Sequence, residues 1–110
     1  MNHEIKKYLF DILTSTNAIE SHLSDIISLS NYKISLKTKD AVERRLAIIG
    51  EALNKADKLD YQINISNKIK IIGLRHILIH DYDLIEDETI WLICKKYLPV
   101  LKIEIEKLLL

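Results

Sequence analysis

Apolar positions recur at steps of three or four along most of the chain, the spacing that predicts amphipathic α-helices. One stripe predicts a long helix from about Asn2 to Leu29, and residues 31–37 break the pattern and predict a loop. A second stripe follows Thr38, a residue suited to cap a helix N-terminus, and continues to Leu59. The two stripes consist of Ile5, Leu9, Ile12, Thr16, Ile19, Leu23 and Ile26, and of Val42, Leu46, Ile49, Leu53, Ala56 and Leu59.

A third helix is predicted after the polar residues 60–65, with Ser66 or Asn67 as its cap. It is rich in apolar residues and is predicted to end near Asp81-Tyr82-Asp83. Its apolar positions include Ile69, Ile72, Leu74, Ile77, Leu78 and Ile79.

The remaining stretch is predicted to form two helices, about Asp87–Tyr97 and Leu98–Leu109, because Pro99 fits a first helical turn and not a helix interior. The chain has only two glycines and one proline, far fewer turn residues than a sandwich or barrel needs. The sequence therefore predicts an all-α fold, a four- to five-helix bundle, in a single domain over residues 1–110.

Charge and composition limit the possible partners and locations. Basic and acidic residues balance at sixteen each, so RNA binding would require a local basic site. A single cysteine, Cys94, predicts no disulfide and is consistent with a reducing cytoplasm. The charged N-terminus does not resemble a signal peptide, and no apolar run approaches the roughly 20 residues of a membrane span.

Residues 73–83 concentrate the chemistry of the chain: an arginine, two histidines, a tyrosine and two aspartates lie close together beside apolar residues. On an ideal helix His76 and His80 share a face, whereas Arg75 and His80 lie about 140° apart. They can converge if the helix unwinds, if the arginine wraps around, or if a second copy of the chain supplies a partner. Gly73 permits close backbone approach beside the cluster, either at the site or within the bundle.

An arginine and a histidine together can cleave RNA without a metal. The 2′-hydroxyl attacks the adjacent phosphorus while a neutral histidine takes its proton, and a protonated histidine supplies the leaving 5′-oxygen. A guanidinium binds two phosphate oxygens and offsets charge in the transition state. Each residue also has a structural interpretation, as a surface ion pair, a packed histidine or a helix end.

The segment Arg75-x-x-x-x-His80-x-Tyr82 resembles the signature of HEPN domains in the form seen in HepT-like toxins. Residues 41–52 resemble that family's second helix, and Trp91 with Leu98-Pro99 resembles its C-terminal pattern. His76 stands where the family often has asparagine.

The resemblance implies a homodimeric, metal-independent endoribonuclease toxin of a type II toxin–antitoxin pair, with Arg75 and His80 as catalytic residues. It also implies a partner, a minimal nucleotidyltransferase antitoxin that attaches AMP to Tyr82. The alternatives are a non-catalytic HEPN partner that binds RNA or a nucleotidyltransferase, and an unrelated bundle in which the motif is accidental.

Supporting roles are predicted for three further residues. His76 lies one helical turn before His80, and Arg44 and Glu51 share a face of the second helix, where they support the site or form a solvated pair. A zinc site of His76, His80 and Asp83 is a weaker alternative, and no cofactor is predicted. Lys68 and Lys70 are interpreted as solvated or as phosphate contacts.

Overall fold

The computed structural model describes residues 1–110 and contains no strand. Its α-helices are α1 (His3–His22), α2 (Leu29–Ile34), α3 (Leu36–Leu59), α4 (Lys68–His80), α5 (Asp87–Leu92) and α6 (Leu98–Leu108). A 3-10 turn covers Tyr82–Leu84, and a π-helical segment, Ile93–Tyr97, joins α5 to α6 into one rod. The prediction of an all-α bundle is confirmed.

The long helices α1 and α3 form the scaffold of the bundle. They run antiparallel, since Tyr8 near the start of α1 meets Lys55 near the end of α3. Every predicted stripe residue of α1 from Ile5 to Leu23 is buried, and so are those of α3 from Val42 to Ala56. Amphipathic periodicity therefore identified the main core correctly.

Several helix ends differ from the sequence prediction. α1 stops at His22 and not near Leu29, and residues 29–34, predicted as part of that helix and as loop, form α2. α2 is capped by Ser28, whose hydroxyl accepts from the Asn31 N–H, and it packs on α5. A helix of six residues is too short to show a periodicity in sequence.

The start of α3 also differs, because its N-cap is Ser35 and not Thr38. Asn67 does precede α4, but its side chain makes no capping bond and its φ is 60°. Ser66 instead binds the Glu104 carboxylate through its N–H and hydroxyl, at 3.1 Å for each contact.

The boundary predicted between Tyr97 and Leu98 is observed, but it is a change of helix type and not a break. The backbone stays right-handed helical from α5 through the π segment into α6. Proline removes one N–H donor, and a wider turn accommodates the loss without breaking the helix. Cys94 lies in this segment and is buried, and burial raises the pKa of its thiol to about 12.

Lys68 stabilises the connection between α3 and α4, and Trp91 packs α5 on α2. The Lys68 ammonium pairs with Asp57 at 2.7 Å and donates to two carbonyls of the α3–α4 connection, so it is neither solvated nor free for phosphate. Trp91 packs against the buried ring of Tyr32, with ring centroids 5.7 Å apart. None of the helices has both the length and the apolar character needed to cross a bilayer.

Candidate active site

Gly50 allows α4 to lie directly on α3 at Arg75. A Cβ at Gly50 would lie 2.7 Å from the Arg75 Cβ and 3.0 Å from the Ile71 carbonyl oxygen, closer than side chains pack. Gly73, predicted to allow a close approach, instead has no atom within 4 Å of its Cβ position. That prediction is wrong for the protomer, and Gly50 is the position that sequence reasoning missed.

Glu51 holds Arg75 in place on the α3 side of α4. The Arg75 Nε pairs with the Glu51 carboxylate, and both side chains are about one-third exposed. Lys55 lies 3.6 Å from the same carboxylate, one helical turn further along α3. Because the arginine uses Nε for this pair, its two terminal nitrogens can face a second anion.

His80 is the last residue of α4 and is exposed to solvent. Its ring centroid lies 4.7 Å from that of His76, which confirms that the two histidines share a face. The His76 Nε2 also lies 3.8 Å from an Asp81 carboxylate oxygen. Arg75 lines the cleft on the α3 side of α4, whereas His80 does not, and no ion pair or hydrogen bond joins them, so the two predicted catalytic residues do not meet within one protomer.

Tyr82 lies outside α4, in the 3-10 turn, and is 75% exposed. It therefore does not share a helix face with Arg75, and its ring is not packed within the protomer. No three His, Cys, Asp or Glu side chains are grouped so that they could hold a metal ion, so Asp83 does not complete the alternative zinc site with His76 and His80.

Arg75 opens into a polar cleft of about 240 Å³ between α1, α3 and α4. Arg44 and Glu51 line it too, as their predicted common face requires, but Glu51 pairs with Arg75 and Lys55 and not with Arg44. The residues that α1 contributes to the cleft were not predicted, because periodicity does not reveal which helices face each other. These residues are Lys7, Tyr8 and Asp11.

The opposite side of α4 presents exposed apolar residues. Ile71 is the only buried residue of α4, although α4 is among the most apolar helices of the chain. Ile69 is 83% exposed and Ile77 is 38% exposed, and Gly73 lies between them on the same face. A groove of about 420 Å³ separates this face from Leu92 and the π segment.

The fold is all-helical, and its candidate site combines Arg75, the exposed His80 and a cleft lined by four basic side chains. A profile of the family described as "Ribonuclease HepT-like" matches residues 12–108. The chain belongs to the HepT-like ribonuclease family, in agreement with the resemblance found in its sequence.

Three curated relatives, all from Methanocaldococcus jannaschii, resemble the chain along nearly its full length. "Putative RNase MJ1380" is 34% identical, covering 94% of each chain, and "Putative RNase MJ0125" is 33% identical, covering 96% of this chain and 91% of its own. "Gamma-glutamylcyclotransferase and putative RNase MJ0434" is 34% identical over 99% of this chain but 49% of its own. No solved structure gives a significant match.

Proposed function

We propose that this protein is a metal-independent endoribonuclease toxin that cleaves RNA at a composite Arg75/His80 site in a homodimer. The observation that carries the proposal is the separation of the two residues on one protomer. Arg75 points to the α3 side, held by Glu51, while His80 ends the exposed apolar face of α4. In a two-fold dimer, His80 of one copy would act on the phosphate that Arg75 of the other copy binds.

The apolar face of α4 supports the homodimer. Ile69, Gly73 and Ile77 follow one another at steps of four, and His80 continues nearly the same line. A second copy that covered this face would remove the exposed isoleucines from water, the main driving force of association. A two-fold interface pairs the same surface of both copies, so each apolar face would cover the other.

The reaction needs one base and one acid. One His80 takes the proton of the 2′-hydroxyl as its oxygen bonds to the adjacent phosphorus. The second copy of His80 donates a proton to the departing 5′-oxygen, so the products are a 2′,3′-cyclic phosphate and a 5′-hydroxyl. Arg75 binds the non-bridging oxygens and stabilises their developing charge.

The test is cleavage of total RNA by the purified protein, with and without EDTA. We expect cleavage that persists in EDTA and leaves cyclic phosphate ends. Arg75→Ala and His80→Ala should each lower the rate by about 100-fold or more. His22→Ala, an exposed histidine at the end of α1, is the control and should cut at the wild-type rate. Wild-type rates in either folded active-site variant would refute the assigned role.

Tyr82 is proposed as the target of AMP transfer from a minimal nucleotidyltransferase antitoxin. Its hydroxyl is accessible on an exposed turn two residues after His80, so a bound AMP would add a phosphate and a bulky base beside the site. Co-expression with such an enzyme should modify Tyr82 and silence the ribonuclease, as read by peptide mass spectrometry. Tyr82→Phe should resist this neutralisation, and Tyr61→Phe is its matched control because Tyr61 is 77% exposed. Full neutralisation with unmodified Tyr82 would contradict the proposal.

A non-catalytic binding partner is the alternative function. It predicts RNA binding or binding to the nucleotidyltransferase, with no cleavage product under any condition. The cleavage assay therefore distinguishes the two functions directly, and the Arg75→Ala variant shows whether any observed cleavage belongs to this protein and not to a contaminant.

A further inference from the structure

The polar cleft between α1, α3 and α4 contains an aromatic ring and basic side chains that the proposed reaction does not use. We propose that this cleft is a binding subsite for one nucleotide of single-stranded RNA next to the reacting phosphate. Tyr8 is the platform on which a base stacks, and Lys7 and Lys55 bind the neighbouring phosphates. The inference rests on the proposed ribonuclease function and extends it to residues outside the motif.

The position of Arg75 makes the cleft continuous with the reaction site. Arg75 and Ile79 form one wall of the cleft, and Tyr8 forms part of the wall that faces them. An RNA strand whose reacting phosphate is bound by Arg75 would therefore extend its next nucleotide into this cleft. The buried residues Ala47 and Ala52 contribute an apolar lining that suits the flat face of a base.

Tyr8 is half-buried, and the ammonium groups of two lysines lie near its ring. The Lys7 ammonium lies 5.1 Å from the ring centroid and the Lys55 ammonium lies 5.8 Å from it. Both lysine side chains are more than half exposed, so each can move from the ring to a phosphate when a base takes its place. An aromatic platform flanked by lysines is the usual arrangement for binding single strands.

The charge of the cleft favours a polyanion. Four basic side chains and two carboxylates line it, so its net charge is +2 within a chain whose net charge is zero. Arg44 has no carboxylate within ion-pair distance and adds a further cation to the lining of the cleft. By contrast, the groove on the other side of α4 has a mainly apolar lining, and Lys70 is its one charged residue. The two sides of α4 therefore suit different partners.

The test measures binding of a fluorescent single-stranded RNA of about ten nucleotides to the His80→Ala protein, which keeps the cleft and removes the proposed cleavage. Tyr8→Ala should weaken binding about tenfold, and Tyr8→Phe should restore it, because stacking needs the ring and not the hydroxyl. Phe10→Ala is the matched control, an exposed aromatic residue on the same helix outside the cleft. Duplex RNA, whose bases are already stacked, should show no loss with Tyr8→Ala.

Salt dependence tests the lysine contacts separately. Lys55→Ala should reduce the slope of log affinity against log salt by about 0.7, the value for one phosphate contact on a single strand. Lys58→Ala, an exposed lysine on the same helix outside the cleft, should leave the slope unchanged. If Tyr8→Ala does not fold, photocrosslinking of RNA that carries 5-iodouridine should attach to Tyr8 in the parent protein, as identified by peptide mass spectrometry.

The outcomes separate the subsite from the function. If Tyr8→Ala binds RNA as tightly as its parent while Arg75→Ala still abolishes cleavage, the subsite is wrong and the ribonuclease proposal stands. Crosslinks confined to residues outside the cleft would lead to the same conclusion. If the wild-type protein neither binds nor cuts RNA, both proposals fall.

Discussion

Helices α1 and α4 differ in how much of their apolar surface the protomer uses. α1 has a moderate number of apolar residues and buries six residues along one stripe. α4 has a higher apolar content and buries Ile71 alone, leaving isoleucines exposed beside His80. α1 belongs to the scaffold, whereas α4 presents Arg75 to one side and, to the other, an uncovered apolar face that ends at His80. Apolar content alone therefore does not identify the core of this protein.

The largest expected effect lies in the scaffold. Ile12→Ala removes a fully buried side chain from α1 and should lower the free energy of unfolding by about 2–5 kcal/mol. Ile69→Ala makes the same change on α4 at an 83% exposed position and should cost less than about 0.5 kcal/mol at concentrations where the chain is monomeric. Urea titrations measure both values. Similar losses at the two positions would show that α4 is better packed than its exposure indicates.

The apolar face of α4 should matter for association and not for folding. Ile77→Asp places a charge on the proposed two-fold interface and should weaken self-association by about 100-fold, or about 2.7 kcal/mol, with the helical content retained. Light scattering over a concentration series measures this change. Ile103→Asp, on an exposed position of α6, is the control. A wild-type protein that stays monomeric at micromolar concentration and still cuts RNA would contradict the dimer.

The two glycines test the two sides of α4 separately, because Gly50 of α3 contacts one side and Gly73 lies on the other. Gly50→Ala should destabilise the fold by about 1–3 kcal/mol, because the new methyl group would push Arg75 and α4 away from α3. Gly73→Ala has open space and should stabilise the helix of the monomer by about 0.5–1 kcal/mol. Thermal unfolding of both variants in parallel measures the contrast. A destabilising Gly73→Ala together with a neutral Gly50→Ala would reverse the assignment.

The smallest expected effect concerns the position of Arg75. Glu51→Gln removes the charge that holds the guanidinium and should lower kcat about fivefold, or roughly 1 kcal/mol, with less effect on stability because the pair is partly exposed. Glu20→Gln, which breaks the surface pair of Glu20 with Lys102, should leave kcat unchanged. An unchanged kcat in folded Glu51→Gln would show that Arg75 holds its position without this carboxylate.

The helices that have a long amphipathic repeat could be predicted from the sequence. Stripes from Ile5 to Leu23 and from Val42 to Ala56 are buried as predicted, because burial of one face repeats every three to four residues. The motif residues are visible in the sequence itself, and the common face of His76 and His80 follows from the geometry of a single helix.

Which helices meet, and which side chains lie between them, depends on the tertiary structure. The contact of Gly50 with Arg75, the Glu51 ion pair and the position of Tyr8 in the cleft all join residues from different helices. A periodic pattern records that a face is buried but not which surface covers it. For the same reason the sequence did not distinguish Ile69, which is exposed, from Ile71, which is buried two residues later in the same apolar helix.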